Sequence, residues 1–246
     1  MTKLVAHRGW SGLAPENTMS AFSKALNHPD IDAIELDVHL SKDGVPVVIH
    51  DFTLDRTTSG EGFVSDYPVD ELRQLDAGGW FDARFANERI PLLEEVLVQA
   101  KGKKRVLVEL KQKGNWYEGL EQAVVNLIQR NDMCQEVLVI SFDHKALQKV
   151  KELDKSISIG LVFFGSTMLV GEQVRYAKAS YVGMHHEFVT QAIIDEVQGL
   201  GIEMGVWTVD EEYSIEELIM MSDQLTITTN HPERFPVREN LMIVGE

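Results

Sequence analysis

The chain has 246 residues, 44% hydrophobic and 25% charged, which is ordinary for a globular protein and suits either two small domains or one closed α/β barrel. Twenty-three Lys and Arg against 39 Asp and Glu leave a formal charge of −16, a surface that repels phosphate backbones and anionic lipid headgroups and so argues against nucleic acid or stable membrane association as a partner. The single cysteine, Cys134, excludes an internal disulfide or a thiolate cluster; with no signal-peptide-like region and no run of about 18 apolar residues, a cytoplasmic protein is expected.

Short β-rich runs alternate with helical stretches along the chain. Strands are expected at Leu4 to His7, Ala33 to Leu40, Val45 to Ile49, Arg105 to Leu110, Glu136 to Ser141, Ser156 to Phe163, Tyr181 to Met184, Glu203 to Val209 and Gln224 to Thr228. Between most of them the apolar residues recur at helical spacing, as in Leu120, Val124, Leu127 and Ile128, or Ile193, Ile194, Val197 and Leu200. Such alternation predicts a parallel sheet. Ser41 to Gly44 is too short for a parallel crossover, so the second and third runs form either a hairpin or one broken strand. Pro15-Glu16-Asn17-Thr18 reads as the first turn of a helix, with Glu16 and Asn17 bracing the loop after the first strand. The stretch from about 52 to 89 lacks a sustained period and reads as an insertion. One domain over 1–246 with that insertion is the expected organisation.

Buried parallel strands normally read as continuous apolar runs. Ala33 to His39 instead puts Ile34, Leu36 and Val38 on one face and Glu35, Asp37 and His39 on the other, and Val106 to Lys111 puts Glu109 and Lys111 opposite Val108 and Leu110. Charged faces near the C-terminal ends of two strands describe the polar mouth of a barrel. His7 and His50 each close a short strand in equivalent positions and can act there as acid, base or ligand. Glu35, Asp37 and Glu109 form an all-oxygen trio suited to a hard divalent cation such as Ca²⁺ or Mg²⁺, with Mn²⁺ as a further candidate; a buried ion-pair network with Arg8 and Lys111 is the structural alternative.

These residues carry a resemblance. His7-Arg8-Gly9 with Ala14-Pro15-Glu16-Asn17-Thr18, Glu35-Leu36-Asp37-Val38, Asp43 to Asp51, Leu54-Asp55-Arg56-Thr57-Thr58-Ser59-Gly60, Glu109-Leu110-Lys111, Ser141-Phe142-Asp143 and Val206-Trp207-Thr208 together resemble the glycerophosphodiester phosphodiesterase family over nearly the whole chain. The resemblance implies an α/β fold, a TIM-type (β/α)8 barrel with a small inserted subdomain after an early strand. It also implies a divalent ion on Glu35, Asp37 and Glu109, His7 with His50 as an acid–base pair, Arg8 and Lys111 on phosphate-contacting positions, and a small glycerophosphodiester as substrate. Its mechanism implies attack by the glycerol 2-hydroxyl and a cyclic phosphate intermediate, which leaves a phospholipase-like lyase or a non-catalytic phosphodiester sensor as alternatives. Asn230, where the family usually has Asp, implies a change in orienting a loop near the mouth.

Other positions are expected to serve less. Trp207 either fills the barrel or forms a wall for glycerol and headgroup, and the resemblance favours the wall. His39 reads as a core residue rather than a ligand, His185-His186 as loop, and Cys134 as an inert thiol. Phe63, Tyr67, Trp80 and Phe81 of the insertion would make an apolar lip if they cluster. A monomer or homodimer is expected.

Overall fold

The computed structural model describes residues 1–236; residues 237–246 of the expected domain lie outside the described residues. Its sheet contains β1 (Lys3–Ala6), β2 (Ala33–Leu40), β3 (Pro46–Val48), β4 (Arg105–Leu110), β5 (Val137–Ser141), β6 (Ser158–Phe163), β7 (Tyr181–His185), β8 (Glu203–Trp207) and β9 (Thr226–Thr229). All strands but β3 pair in parallel, and β1 pairs with both β9 and β2, so eight strands close into a barrel. The third apolar run resolves as a hairpin: β3 lies antiparallel on the end of β2, Val38 opposite Val48, along the part of β2 that β1 does not reach.

Helices α1 (Met19–Leu26), α3 (Leu93–Ala100), α4 (Leu120–Arg130), α5 (His144–Leu153), α6 (Val170–Ala177), α7 (Gln191–Gly199) and α8 (Glu212–Met221) connect the strands, while α2 (Val69–Leu72) sits in the insertion. Their buried faces (Phe22 in α1, Val96 and Leu97 in α3, Val124 and Ile128 in α4) pack on the outward aliphatics Ile34, Leu36, Val106 and Val108. The periodicity did not reveal α1, α3 or α6, each eight residues long and thus barely two turns of pattern. Their ends carry local signals instead: Thr18 Oγ1 accepts from Ala21 N at the start of α1, and Glu95 reaches back to Leu92 N at the start of α3. The helix after β1 therefore begins at Met19, and Glu16 and Asn17 precede it, contrary to the expectation from Pro15. Asn17 takes a left-handed backbone conformation instead of a helical one.

Inside the barrel a smaller cluster of Val5, Ala33, Leu107, Leu138, Ile140, Val162 and Tyr181 forms the floor of the mouth. Tyr181 crosses the interior where β8 has Gly205; a Cβ there would overlap its phenol oxygen, so glycine is what allows the large ring in. Below it, Arg105 and Thr226 bind Glu203 at 2.7 Å each.

The insertion has an apolar centre of its own, Leu54, Val64, Leu72, Ala77 and Ile90, against Val47 and Ile49 of the hairpin. Its aromatic residues do not form one lip. Phe63 packs on Trp116, Tyr67 on the insertion's centre, and Trp80 and Phe81 on each other. Helix α5 is amphipathic, as the spacing of Ala146, Leu147, Val150 and Leu153 predicts, and mildly basic, yet Lys149 pairs with Glu121 and Lys151 donates to the carbonyls of Lys155 and Ile157. Among the described residues no helix is long and apolar enough to cross a membrane.

Candidate active site

The pleat of β2 and β4 brings the acids together. Asp37 stands opposite Glu109 in parallel register, and Glu35 lies two residues earlier on the same face of β2. Glu35, Asp37 and Glu109 each offer an oxygen within 4.8 Å of the others. At such separations each pair of like charges costs about 3–4 kcal/mol at an effective dielectric of about 20. Burial first, then the charges of Asp37 and Glu109, push the Glu35 carboxyl well above its ordinary range. Burial and Asp37 raise Glu109 too, against the pull of Lys111. Asp37 goes the other way: burial would raise it, but Lys111 and Arg8 hold it far below the usual carboxylate range.

Lys111 Nζ donates to Glu109 at 2.8 Å and lies 3.3 Å from Asp37, and Arg8 Nε lies 3.2 Å from Asp37. These cations do not satisfy the cluster. Glu35 Oε1 is buried without a hydrogen-bond partner, an arrangement that a polar interior rarely tolerates without a ligand, and Asp37 Oδ1 makes no hydrogen bond beyond its ion pair with Lys111 at 3.3 Å. All-oxygen donors, with Glu35 Oε1 unpartnered, fit a hard divalent cation. The residues present therefore suit the group the family resemblance implies.

The histidines flank this cluster. His7 follows β1, where Arg8 adopts a left-handed backbone and its N–H donates to Glu35 at 3.0 Å. Gly9 continues the turn at φ +76°, and a Cβ there would clash with the backbone of α1. His7 Nδ1–H donates to Asn230 Oδ1 at 2.8 Å, which leaves Nε2 unprotonated and 3.9 Å from Glu35. Burial, then Arg8, pushes His7 down to about 4, so its ring is neutral at pH 7. His50 Nδ1–H donates to Asp51 at 2.6 Å. Both rings line a cavity of about 150 Å³ together with Arg8, Glu35, Glu109, Lys111, Phe142 and Trp207.

Trp207 forms a wall: it lines the cavity, meets Phe142 and His185 edge-on at 5.3 and 5.1 Å, and holds a buried Nε1–H with no partner. His185 thus belongs to the mouth rather than to a loop, with Phe164 against its other side. His39 is a satisfied core residue, its Nε2–H donating to the His50 carbonyl at 2.9 Å and its Nδ1 accepting from Tyr117 at 2.7 Å. Cys134 is free and half-buried, packed on the outer core.

Further side chains hold the site together, Glu16 and Asn17 by bracing the loop after β1 as expected and Asp210 without a signal in the sequence. Asn17 donates to Asp37 at 2.8 Å, Glu16 accepts from Arg8 at 2.7 Å, and Asp210 accepts from Asn230 at 2.7 Å. The departure at Asn230 touches a histidine of the mouth as well as a loop. Glu16, Asn17 and Asp51 belong to the motifs that carry the resemblance; nothing local marks Asp210.

Acids, cations and two histidines gathered at the C-terminal mouth of a closed (β/α)8 barrel define a barrel hydrolase. The profile of the glycerophosphoryl diester phosphodiesterase family matches residues 7–233. A glycerophosphodiester phosphodiesterase of Caldanaerobacter subterraneus subsp. tengcongensis is 38% identical over 237 residues, covering 94% of this chain and 95% of that one. A phosphodiesterase of Oleispira antarctica, solved in complex with the product sn-glycerol-3-phosphate, superposes with a TM-score of 0.88 at 29% identity over 94% of each chain. A glycerophosphodiester phosphodiesterase of Agrobacterium tumefaciens superposes with 0.81 at 32% identity, covering 96% of this chain and 99% of the other. The chain belongs to the glycerophosphoryl diester phosphodiesterase family and is an enzyme of that class.

Proposed function

We propose that this enzyme hydrolyses small glycerophosphodiesters to sn-glycerol 3-phosphate and an alcohol, in a divalent-cation-dependent reaction with His7 and His50 as the acid–base pair. The observation that carries this reading is the convergence of an acid trio with an unpartnered Glu35 oxygen and two histidines, each held at Nδ1 by a side-chain oxygen, on one cavity. The product bound by the Oleispira relative supports the substrate class.

Glu35, Asp37 and Glu109 would hold the cation, Ca²⁺ or Mg²⁺ with Mn²⁺ as a further candidate, which when bound neutralises charge on the phosphoryl oxygens. Arg8 and Lys111, both lining the cavity, add positive charge for the same phosphate, and Trp207 offers an apolar wall and an unpaired N–H. One imidazole, neutral, takes the proton of the glycerol 2-hydroxyl as that oxygen attacks phosphorus; the other, entering the step as imidazolium, gives its Nε2 proton to the departing alkoxide. In the second step the histidines exchange roles, and water opens the cyclic glycerol phosphate. Each proton transfer contributes about 10²- to 10⁴-fold.

The test is to follow the reaction on glycerophosphocholine by phosphorus NMR, with and without chelator. Glycerol 3-phosphate should accumulate only with the cation present. Cyclic phosphate that persists as the final product would make the enzyme a lyase.

A further inference from the structure

We propose that Arg56, carried by the insertion, is a positioning residue that couples the two sides of the active site, fixing His50 through Asp51 and Arg8 through Glu16 with one guanidinium. The proposal rests on the functional reading above for the roles of His50 and Arg8.

The geometry is doubly bidentate. Arg56 Nε and NH2 donate to the two Asp51 oxygens at 2.8 and 3.0 Å, while NH1 and NH2 donate to the two Glu16 oxygens at 2.8 Å each. Each carboxylate then passes the constraint on through an oxygen it already shares with Arg56. Asp51 Oδ1 accepts from His50 Nδ1, and Glu16 Oε1 accepts from Arg8 NH1. The chain His50, Asp51, Arg56, Glu16, Arg8 continues to Asp37, which Arg8 Nε approaches at 3.2 Å.

Two physical points separate this from an ordinary surface ion pair. An isolated exposed pair contributes little to stability, whereas here two carboxylates converge on one cation and would repel each other without it, pulling His50 and Arg8 out of register. Lysine cannot replace the fork, because a single ammonium offers no pair of planar edges for two carboxylates. The insertion also holds a matched control. Arg73 is bidentate to Glu95 at 2.6 and 2.8 Å, but that pair ties the α2 region to α3 and touches no residue lining the cavity.

The experiment measures kcat and KM on glycerophosphocholine at saturating divalent cation, alongside melting temperature, for wild type, Arg56→Gln, Arg56→Lys and Arg73→Gln. Both Arg56 variants should lose about 10- to 100-fold in kcat/KM, the range typical when a group that orients site residues is removed, with kcat falling and KM rising together. Arg73→Gln should lower the melting temperature while leaving kcat/KM within about threefold. Asp51→Asn should act mainly on kcat and Glu16→Gln mainly on KM, each non-additively with Arg56→Gln. Millimolar guanidinium should partly restore Arg56→Ala. Kinetics of Arg56→Gln that match Arg73→Gln, or full additivity with Asp51→Asn and Glu16→Gln, would overturn the coupling. If Arg56→Gln does not fold, the Asp51→Asn with Glu16→Gln cycle decides: non-additive losses support a shared cation and additive losses refute it. Failure of the functional reading looks different, since His50→Ala would then turn over as fast as wild type.

Discussion

His7 and Asn230 are joined by one hydrogen bond of 2.8 Å from the ring Nδ1–H to the side-chain oxygen, and the same amide donates to Asp210 at 2.7 Å. The neutral amide fixes the histidine's tautomer without adding a charge beside a ring that burial already keeps neutral. Asn230→Ala should lower kcat by about 10- to 100-fold with KM nearly unchanged, because orientation is lost and binding is not. Asn230→Asp sets a second carboxylate against Asp210 and should lower the melting temperature, which Asn230→Asp combined with Asp210→Asn should recover. An Asn230→Ala enzyme with wild-type kcat would show that Asn230 does not orient the ring.

The acid trio yields a prediction with a readout other than turnover. Three clustered carboxylates destabilise the cation-free protein, so Glu35→Gln should raise the melting temperature in chelator. Wild type should gain melting temperature on adding Ca²⁺ or Mg²⁺, since a ligand that binds only the folded state stabilises it by mass action, and Glu35→Gln, Asp37→Ala and Glu109→Ala should lose that gain along with activity. A variant that still shows the full cation-dependent shift removes its residue from the ligand set.

His7→Ala and His50→Ala should each reduce turnover by about 10²- to 10⁴-fold while keeping the cation-dependent melting shift, since neither is assigned as a ligand. Groups that act as one unit give non-additive losses. The double variant should therefore fall little below the worse single one, and a loss equal to the product of the two would separate their roles.

Much of this mouth was legible because a barrel strand that alternates charge with aliphatics contradicts its own burial. Glu35 with Asp37 and Glu109 with Lys111 break the apolar run on one face only, and the structure puts that face inward. Helices α3 and α6 were not legible, since eight residues hardly establish a period and their caps lie outside the apolar pattern, while α1 was legible from Pro15 to Thr18 but placed too early. Glu16 and Asn17 misled for a related reason: Pro15 suits a helix start, yet their side chains are spent on Arg8 and Asp37 across the mouth, and that tertiary demand pushes the helix start to Met19. The Asn230 to His7 contact spans 223 residues, a separation that no local pattern encodes.

At the opposite end of the barrel, burial would raise the Glu203 carboxyl, but Arg105, Thr226 and Lys3 overcome it and hold it below its ordinary value. A depressed carboxyl contributes stability that is present above its unfolded pKa, about 4.5, and is lost as pH falls through the lower folded value. Glu203→Gln should therefore be destabilised at pH 7, where Arg105 loses its charged partner, and the gap to wild type should narrow below about pH 4.5. Urea melts at pH 7 and pH 3.5 measure both; a gap that stays constant would mean that Glu203 adds nothing through its charge.

Substrate solubility sets two features of the rim against each other. The formal charge of −16 opposes anionic bilayers, and the aromatic residues of the insertion are split among separate contacts, Phe63 on Trp116 and Trp80 on Phe81, instead of forming one lip. On the opposite rim Phe142, Phe164, Met168 and Leu169 are exposed, and Phe164 packs against His185, which adjoins Trp207. A deacylated glycerophosphodiester needs only the polar mouth and the Trp207 wall, whereas a lysophospholipid also needs an apolar track for its chain and a means of approaching a bilayer that the −16 charge opposes. Glycerophosphocholine should accordingly be cleaved with a higher kcat/KM than lysophosphatidylcholine under identical cation and detergent conditions. Phe164→Ser with Met168→Ser should reduce any lysolipid cleavage and leave glycerophosphocholine within about threefold, because residual lysolipid turnover would have to use that rim. Faster cleavage of the lysolipid by wild type would sink the claim and make the Phe164 rim an acyl-binding edge.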